Sequence, residues 1–221
     1  DKIGSHQLYC FEPLPELHRN LTQRFRKANV YQLALSDQVG EQTINVPYVE
    51  GKRYASRASL NNHQEHNQDG TDAISIRTST VDSTVKELQL SSLGFLKIDV
   101  EGHELAVLRG AQETLKTYQP LVLIEIEARH HNFPITDIFS LFTDLGFVGY
   151  YLDSHTLTLA PVEQFDVDRD QDIAQLKDRQ FFWYINNFFF VHRAKENDFL
   201  KQTTEFLKAE QNRIAEAEGS T

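Results

Sequence analysis

The sequence predicts an α/β fold, with a mostly parallel sheet covered by helices on both faces. Strand-like and helix-like segments alternate along most of the chain, the order that builds parallel sheets. The strands FLKIDV (95–100) and LVLIEI (121–126) are near-continuous apolar runs, as expected of strands buried on both faces. Acidic or polar residues close several of these runs: Glu12, Ser36, Asp37, Asp99, Glu101, Glu125 and Glu127. In sheets of this class, ligands bind beyond the carboxyl ends of the strands.

The elements follow in order. LYCFEP (8–13) is a short apolar strand ending in an acid. PELHRNLTQRFRKAN (15–29) places Leu17, Leu21 and Phe25 at helical spacing. VYQLALSD (30–37) is the next strand, and GEQTINVPYV (40–49) alternates loosely as a hairpin or edge strand. RASLNNHQEHNQDGTD (57–72) is polar and irregular and reads as a loop. AISIRTSTV (73–81) alternates as a strand, and DSTVKELQL (82–90) is a short helix capped by Thr80 or Asp82. After FLKIDV, residues 102–118 read as one helix with Leu105, Leu108, Ala111 and Leu115 on a face. PLVLIEIEA (120–128) is a strand. PITDIFSLFTDLG (134–146) is a helix with Ile135, Ile138, Phe139, Phe142 and Leu145 turned inward and Gly146 closing it. GFVGYYLD, TLTLAPV and FFWYINNFFFVHR follow as strands. Residues 1–194 form the α/β domain, and 195–221 form a charged amphipathic helix.

The formal net charge of −10 opposes broad nucleic-acid binding, which needs basic surface. It equally opposes docking on anionic membranes. The one cysteine, Cys10, builds neither a disulfide framework nor a thiolate metal site and reads as a strand residue. No apolar run reaches the roughly 18 residues of a membrane span, and DKIGSHQ is not a signal peptide. The cytoplasm is the expected compartment.

Each candidate site residue has two readings. Glu12 ends a strand, where a carboxylate can accept both hydroxyls of a ribose diol, or it is a solvated acid opening a loop. Ser36 and Asp37 either meet an adenine edge or form the turn before Gly40. Asp99, Glu101, Gly102, His103 and Glu104 cluster at a strand-to-helix junction. There they line a site, or Glu101 and Glu104 serve the helix dipole. Glu125 and Glu127 lie two apart and share a strand face. They orient a substrate hydroxyl, hold a divalent ion with Asp99, or pair with Arg109 or Arg129. His130 and His131 follow the same strand, and His63 and His66 sit in the polar loop; solvated loop is the simpler reading for both pairs.

Together, FEPLPELHRNL, LALSD, STVDS, FLKIDVEGHELAVLRGA and LVLIEIE resemble the FkbM family of S-adenosylmethionine-dependent methyltransferases, in order and spacing along residues 8–193. The resemblance implies a class I methyltransferase, Rossmann-like fold. It implies methyl transfer to a hydroxyl of a sugar, glycan or small natural product. It implies Glu12 on the cofactor ribose, Ser36 and Asp37 beside the adenine, and Asp99 near the methyl and the acceptor. Glu125 matches the acid that ends the next family strand. Asp99 or His103 then takes the hydroxyl proton while Glu125 orients the acceptor. The family's glycine-rich loop after its first strand has no counterpart here; Gly4 is the only glycine before Cys10. The expectation is an N-terminally truncated chain whose missing first strand belongs between the strand ending at Glu12 and the strand ending at Asp99. A catalytically inactive binding or scaffold protein is the alternative, and a metal-dependent hydrolase built on Asp99, Glu125 and Glu127 is a more distant one.

Overall fold

The computed structural model describes residues 8–55, 58–60, 68–153, 156–174 and 184–218. The α/β class expected from the sequence is the class observed. The chain forms two compact units, Asp1–Ser91 with Val100–Thr114, and Ser92–Asp99 with Leu115–Thr221.

In the first unit, β1 (Tyr9–Phe11) pairs parallel with β2 (Asn29–Tyr31) through the connecting helix α1 (Pro15–Arg24). Pro15 opens that helix, where its missing N–H costs nothing. The helix ends at Arg24, five residues short of the expected stretch. A second sheet has the order β3-β6-β4-β5, with β3 Ala34–Leu35, β4 Gly40–Val49, β5 Lys52–Arg53 and β6 Gln68–Ser79. Of the two readings of this segment, the hairpin is observed and the edge strand is not: β4 turns back antiparallel onto β5 and also pairs antiparallel with β6 from Gly40↔Thr78 to Val49↔Gln68. Residues 68–72, expected in the polar loop, belong to β6. His63 and His66 lie outside the described residues. Leu14, Ala34, Ile44, Val46 and Ile76 form an aliphatic core.

Helix α2 (Val81–Glu87) is capped by Thr80, whose Oγ1 accepts Ser83 N at 3.0 Å. Asp82 does something else: its carboxylate accepts the backbone N–H groups of Thr114 at 2.8 Å and Glu113 at 3.2 Å. The long helix expected over 102–118 is two helices, α3 (Glu104–Arg109) and α4 (Gln112–Tyr118). The break falls at Gly110 and Ala111. A Cβ on Gly110 would lie 2.1 Å from the Ser36 carbonyl oxygen, so only glycine allows the junction to pass this close to the end of β3.

In the second unit the strand order is β10-β9-β11-β8-β7. β7 (Phe95–Ile98) and β8 (Leu121–Glu125) are parallel, while β11 (Asn187–His192) runs antiparallel between β8 and β9 (Phe147–Asp153). β10 (Thr158–Pro161) completes a hairpin with β9. The parallel pair β7–β8 is joined through the helices α3 and α4. Helix α5 (Thr136–Asp144) buries Ile138, Phe139 and Phe142. Its Phe142 ring stacks on Phe190 at 3.8 Å between centroids. The helix ends at Gly146 with φ +82°, the left-handed closure expected of a glycine there. The C-terminal helix Glu196–Glu218 packs Phe199 against Tyr150 and Phe189. Tyr150 donates its hydroxyl to Glu196 Oε1 at 2.5 Å. Among the described residues, β1 has a strand neighbour on one side only, and so does β7. No described helix is long and apolar enough to cross a membrane.

Candidate functional site

The first unit gathers three of the residues singled out from sequence. Ser36 follows β3 and is fully shut from solvent. Its Oγ lies 2.9 Å from His103 Nε2 and donates to Asp37 Oδ1 at 3.1 Å. Gln42 Nε2, from β4, donates to the same Oγ at 3.3 Å. Burial lowers the His103 pKa below its ordinary value, against the upward pull of Asp37 and Glu104. Gln42 was not among the sequence candidates. It shares a strand face with Ile44 and Val46, both buried, and a polar side chain on the inward face of an alternating strand needs a partner. That pattern was the available signal.

Glu12 follows β1. Its Oε1 accepts Leu14 N at 2.8 Å. Burial raises its pKa, partly offset by that hydrogen bond and by His18. Phe11, its neighbour in sequence, stacks on Tyr31 with ring centroids 5.5 Å apart.

The junction Glu101–Glu104 is held by backbone geometry. Glu101 and Gly102 both have positive φ, +48° and +90°. The Glu101 carbonyl accepts Ser59 Oγ at 2.5 Å. Glu104 is 2% exposed, and its Oε1 accepts Gly102 N at 3.0 Å. A carboxylate folding back onto the N–H just before its helix satisfies a donor that the helix itself cannot. Glu104 therefore shapes the turn that carries His103.

In the second unit, Asp99 follows β7, is half exposed at its side chain and pairs with Lys97 Nζ at 2.8 Å. Glu125 ends β8 and accepts Asn186 Nδ2 at 2.7 Å. Glu127 accepts Arg129 Nε at 2.5 Å, Tyr184 Oη at 2.9 Å and Asn186 Nδ2 at 3.4 Å. Burial works to raise the Glu127 pKa, but the Arg129 hydrogen bond and charge, with His130 and Tyr184, bring it below the ordinary value. Of the two arginines weighed for this acid pair, Arg129 is the partner observed. His130 is buried in a short 3-10 turn, Ala128–His130. Gln171 ties the region together, donating to the Ile126 and Ile185 carbonyls at 2.7 and 2.9 Å and accepting Ala128 N at 2.8 Å. Asn186 and Tyr184 were hidden in sequence inside an aromatic run read as strand and core. A cleft of about 310 Å³ opens here, lined by Arg129, Gln171, Asp168, Asp172, Val167 and Ile173 among others. Among the described residues no group of three or more His, Cys, Asp or Glu side chains is placed to hold a metal ion.

The sequence model of the methyltransferase FkbM domain matches residues 2–148, more than half of the chain. This chain belongs to the FkbM methyltransferase family. A crystal structure of methyltransferase FkbM from Methylobacillus flagellatus KT is similar at a TM-score of 0.39 and 16% identity, over 82% of this chain and 36% of that one. The chain thus spans little more than a third of that protein's length. No curated protein matches the sequence. Within the FkbM match, the LSD segment (35–37) and the EGHE segment (101–104) meet through the Ser36–His103 hydrogen bond. RGA (109–111) meets LSD through the close approach of Gly110 to the Ser36 carbonyl.

Proposed function

We propose that this chain belongs to an S-adenosylmethionine-dependent O-methyltransferase acting on a hydroxyl of a sugar, glycan or small natural product. The observation that carries the reading is the FkbM match over residues 2–148. When bound, S-adenosylmethionine supplies a methyl group already activated on a sulfonium, ready for in-line displacement. The half-buried Glu12 fits the ribose of that cofactor. Among the described residues its Oε1 is engaged by Leu14 N, and burial disfavours its charge. A pair of ribose hydroxyls would supply the hydrogen bonds that burial denies.

The family resemblance leaves Asp99 or His103 to take the proton of the acceptor hydroxyl, and Glu125 to orient that acceptor. Holding the reactants in line is worth about 7–11 kcal/mol of barrier. The cleft beside Arg129 supports a polyhydroxylated ligand, because Asp168 and Asp172 offer hydroxyl partners beside the exposed apolar Val167 and Ile173.

Calorimetry with S-adenosylmethionine tests the reading. Glu12→Ala weakens cofactor binding about tenfold or more, whereas Asp99→Asn lowers turnover about 100-fold with cofactor affinity nearly kept. Equal affinity in Glu12→Ala and wild type overturns the ribose assignment. No cofactor binding by the wild-type protein favours a binding or scaffold role instead.

A further inference from the structure

We propose that the end of helix α1 and the turn after it, residues 22–27, dock on an anionic lipid surface. Arg24, Arg26 and Lys27 meet the headgroups, and Phe25 enters the interface between them. The proposal stands apart from the methyl-transfer reading and does not depend on it.

Charge is spread unevenly along this acidic chain. From Leu17 to Ser36 there is no Asp or Glu, while Arg19, Arg24, Arg26 and Lys27 fall within nine residues. All four are exposed, and none forms an ion pair among the described residues. The acids that precede them lie at the other end of the same elements. Glu12 follows the far end of β1, and Glu16 stands in the first turn of α1, where it pairs with Arg53. At 1.5 Å per residue, Glu16 is about 12 Å from Arg24 along the helix. A helix C-terminus favours a cation. That accounts for Arg24 in the last turn, but not for Arg26 and Lys27 beyond it.

The shape of the segment suits a flat surface. Residues 22–27 are six consecutive exposed positions. The backbone folds back here: Phe25 N donates to the Leu21 carbonyl at 2.8 Å, and the Phe25 carbonyl accepts Ala28 N at 2.9 Å, just before β2. Phe25 is 44% exposed, with the Arg24 guanidinium carbon 5.4 Å from its ring centroid. Leu8, equally exposed, lies at the same end, where its carbonyl accepts Asn29 N at 2.9 Å. An aromatic ring among cations on a protruding turn fits a bilayer interface, where the ring enters the headgroup boundary and the cations meet anionic lipid. A stable protein partner covers about 800 Å² on each side, which one protruding turn does not fill.

The net charge of −10 opposes approach from a distance but not this contact. The surface potential of a membrane falls off within a Debye length, about 8 Å at physiological salt. The cations of the turn lie within that layer, and Glu16 lies beyond it. β1 runs from Leu8 toward Glu12, so docking by this end leaves the Glu12 end of the strand uncovered.

Co-sedimentation of the full chain with lipid vesicles tests the proposal. The expected result is binding to phosphatidylcholine vesicles that contain about one-third phosphatidylserine, weakening as salt rises. Vesicles of phosphatidylcholine alone should bind far less. Replacing Arg24, Arg26 and Lys27 together by Gln is expected to weaken binding about 100-fold, at roughly fivefold for each cation. Replacing the exposed Lys86, Lys201 and Lys208 by Gln changes net charge equally and should weaken it less than about threefold. Phe25→Ser is expected to cost about tenfold, and that loss should persist at high salt. Circular dichroism confirms that each variant is folded. No binding of the wild type to the anionic vesicles, or equal losses in the two triple variants, overturns the proposal. Capture by poly-glutamate or a DNA oligonucleotide without vesicle binding also overturns it, and reassigns the turn to an acidic protein or a nucleic acid.

Discussion

The two units treat a partly buried titratable group in opposite ways. In the first, His103 is touched by a serine hydroxyl, and burial lowers its pKa although two carboxylates pull the other way. In the second, Glu127 is also removed from water, yet it keeps its charge because Arg129 donates to it at 2.5 Å with Tyr184 at 2.9 Å. The difference is contact. A directly bonded opposite charge outweighs desolvation, whereas carboxylates without such a bond do not. The cores differ in the same spirit. The first unit packs aliphatic side chains around Val46 and Ile76. The second packs phenylalanine rings around Phe188 and Phe190.

The sharpest way to break this comparison is at the glycines. A Cβ on Gly110 meets the Ser36 backbone carbonyl at 2.1 Å, whereas one on Gly149 meets side-chain atoms of Phe190 and Val162 at 2.6 and 2.8 Å. Gly110→Ala is expected to cost about 3 kcal/mol or more, and Gly149→Ala about 1–3 kcal/mol, because a backbone moves less readily than a ring or a methyl. Urea unfolding of the two variants measures the order, and a reversal would place the more rigid contact in the second unit.

Glu127→Gln comes next, at about 2 kcal/mol, because Arg129 loses its ionic partner in a mostly buried place. The pH dependence sharpens it. The folded Glu127 carboxyl binds its proton less tightly than the unfolded one. Its stabilisation is therefore complete above the ordinary value near 4.5 and is lost as pH falls through the lowered folded value. His103 acts in a higher window. Its folded pKa is also lowered, so the fold is favoured above pH 6.5 and loses stability as pH falls from there through the folded value. Stability measured from pH 7 downward should show both slopes in the wild type. His103→Gln should lack the upper one and Glu127→Gln the lower one.

Tyr150→Phe is smaller, about 1 kcal/mol, and acts by loosening the C-terminal helix at Glu196. The Tyr150 pKa is pushed up to about 12 by burial and by the hydrogen bond to Glu196. The stabilisation from this contact is thus complete below the ordinary value near 10 and is lost as pH rises toward about 12. Thermal melts of the two proteins at pH 8 and above check it. The smallest effect belongs to Phe206→Ser, within about 0.5 kcal/mol, because Phe206 is 62% exposed on that helix.

Much of the fold was legible along the chain, and for identifiable reasons. Ile138, Phe139 and Phe142 recur at helical spacing and are all buried. Thr80 reads as a cap and is one. What was not legible involves residues whose partners lie far away. Asp82 looks like a first-turn acid of its own helix, yet its carboxylate holds the start of α4 more than thirty positions on. Gly110 looks like a tolerated glycine inside one long helix, yet the Ser36 carbonyl splits that helix at this point. The candidate site residues stood out in the sequence as strand-end acids and the EGHE segment. That Ser36, Asp37 and His103 share a network, with Gln42 as its fourth member, was not.

By itself the sequence determined the order and type of the elements, the acidic charge, the polar strand ends and the family. Each of these is written in local pattern: apolar spacing, caps, short motifs. The tertiary structure alone decided which polar groups meet. Ser36 and His103 are separated by 67 positions, and their contact depends on the run of β3 beside β6, the pairing of β6 with β4, and the turn at Gly102. A shift of one residue in strand register would carry Gln42 to the opposite face of β4. Hydrogen bonds over 3 Å are decided by register and backbone approach, and those emerge only when distant segments pack.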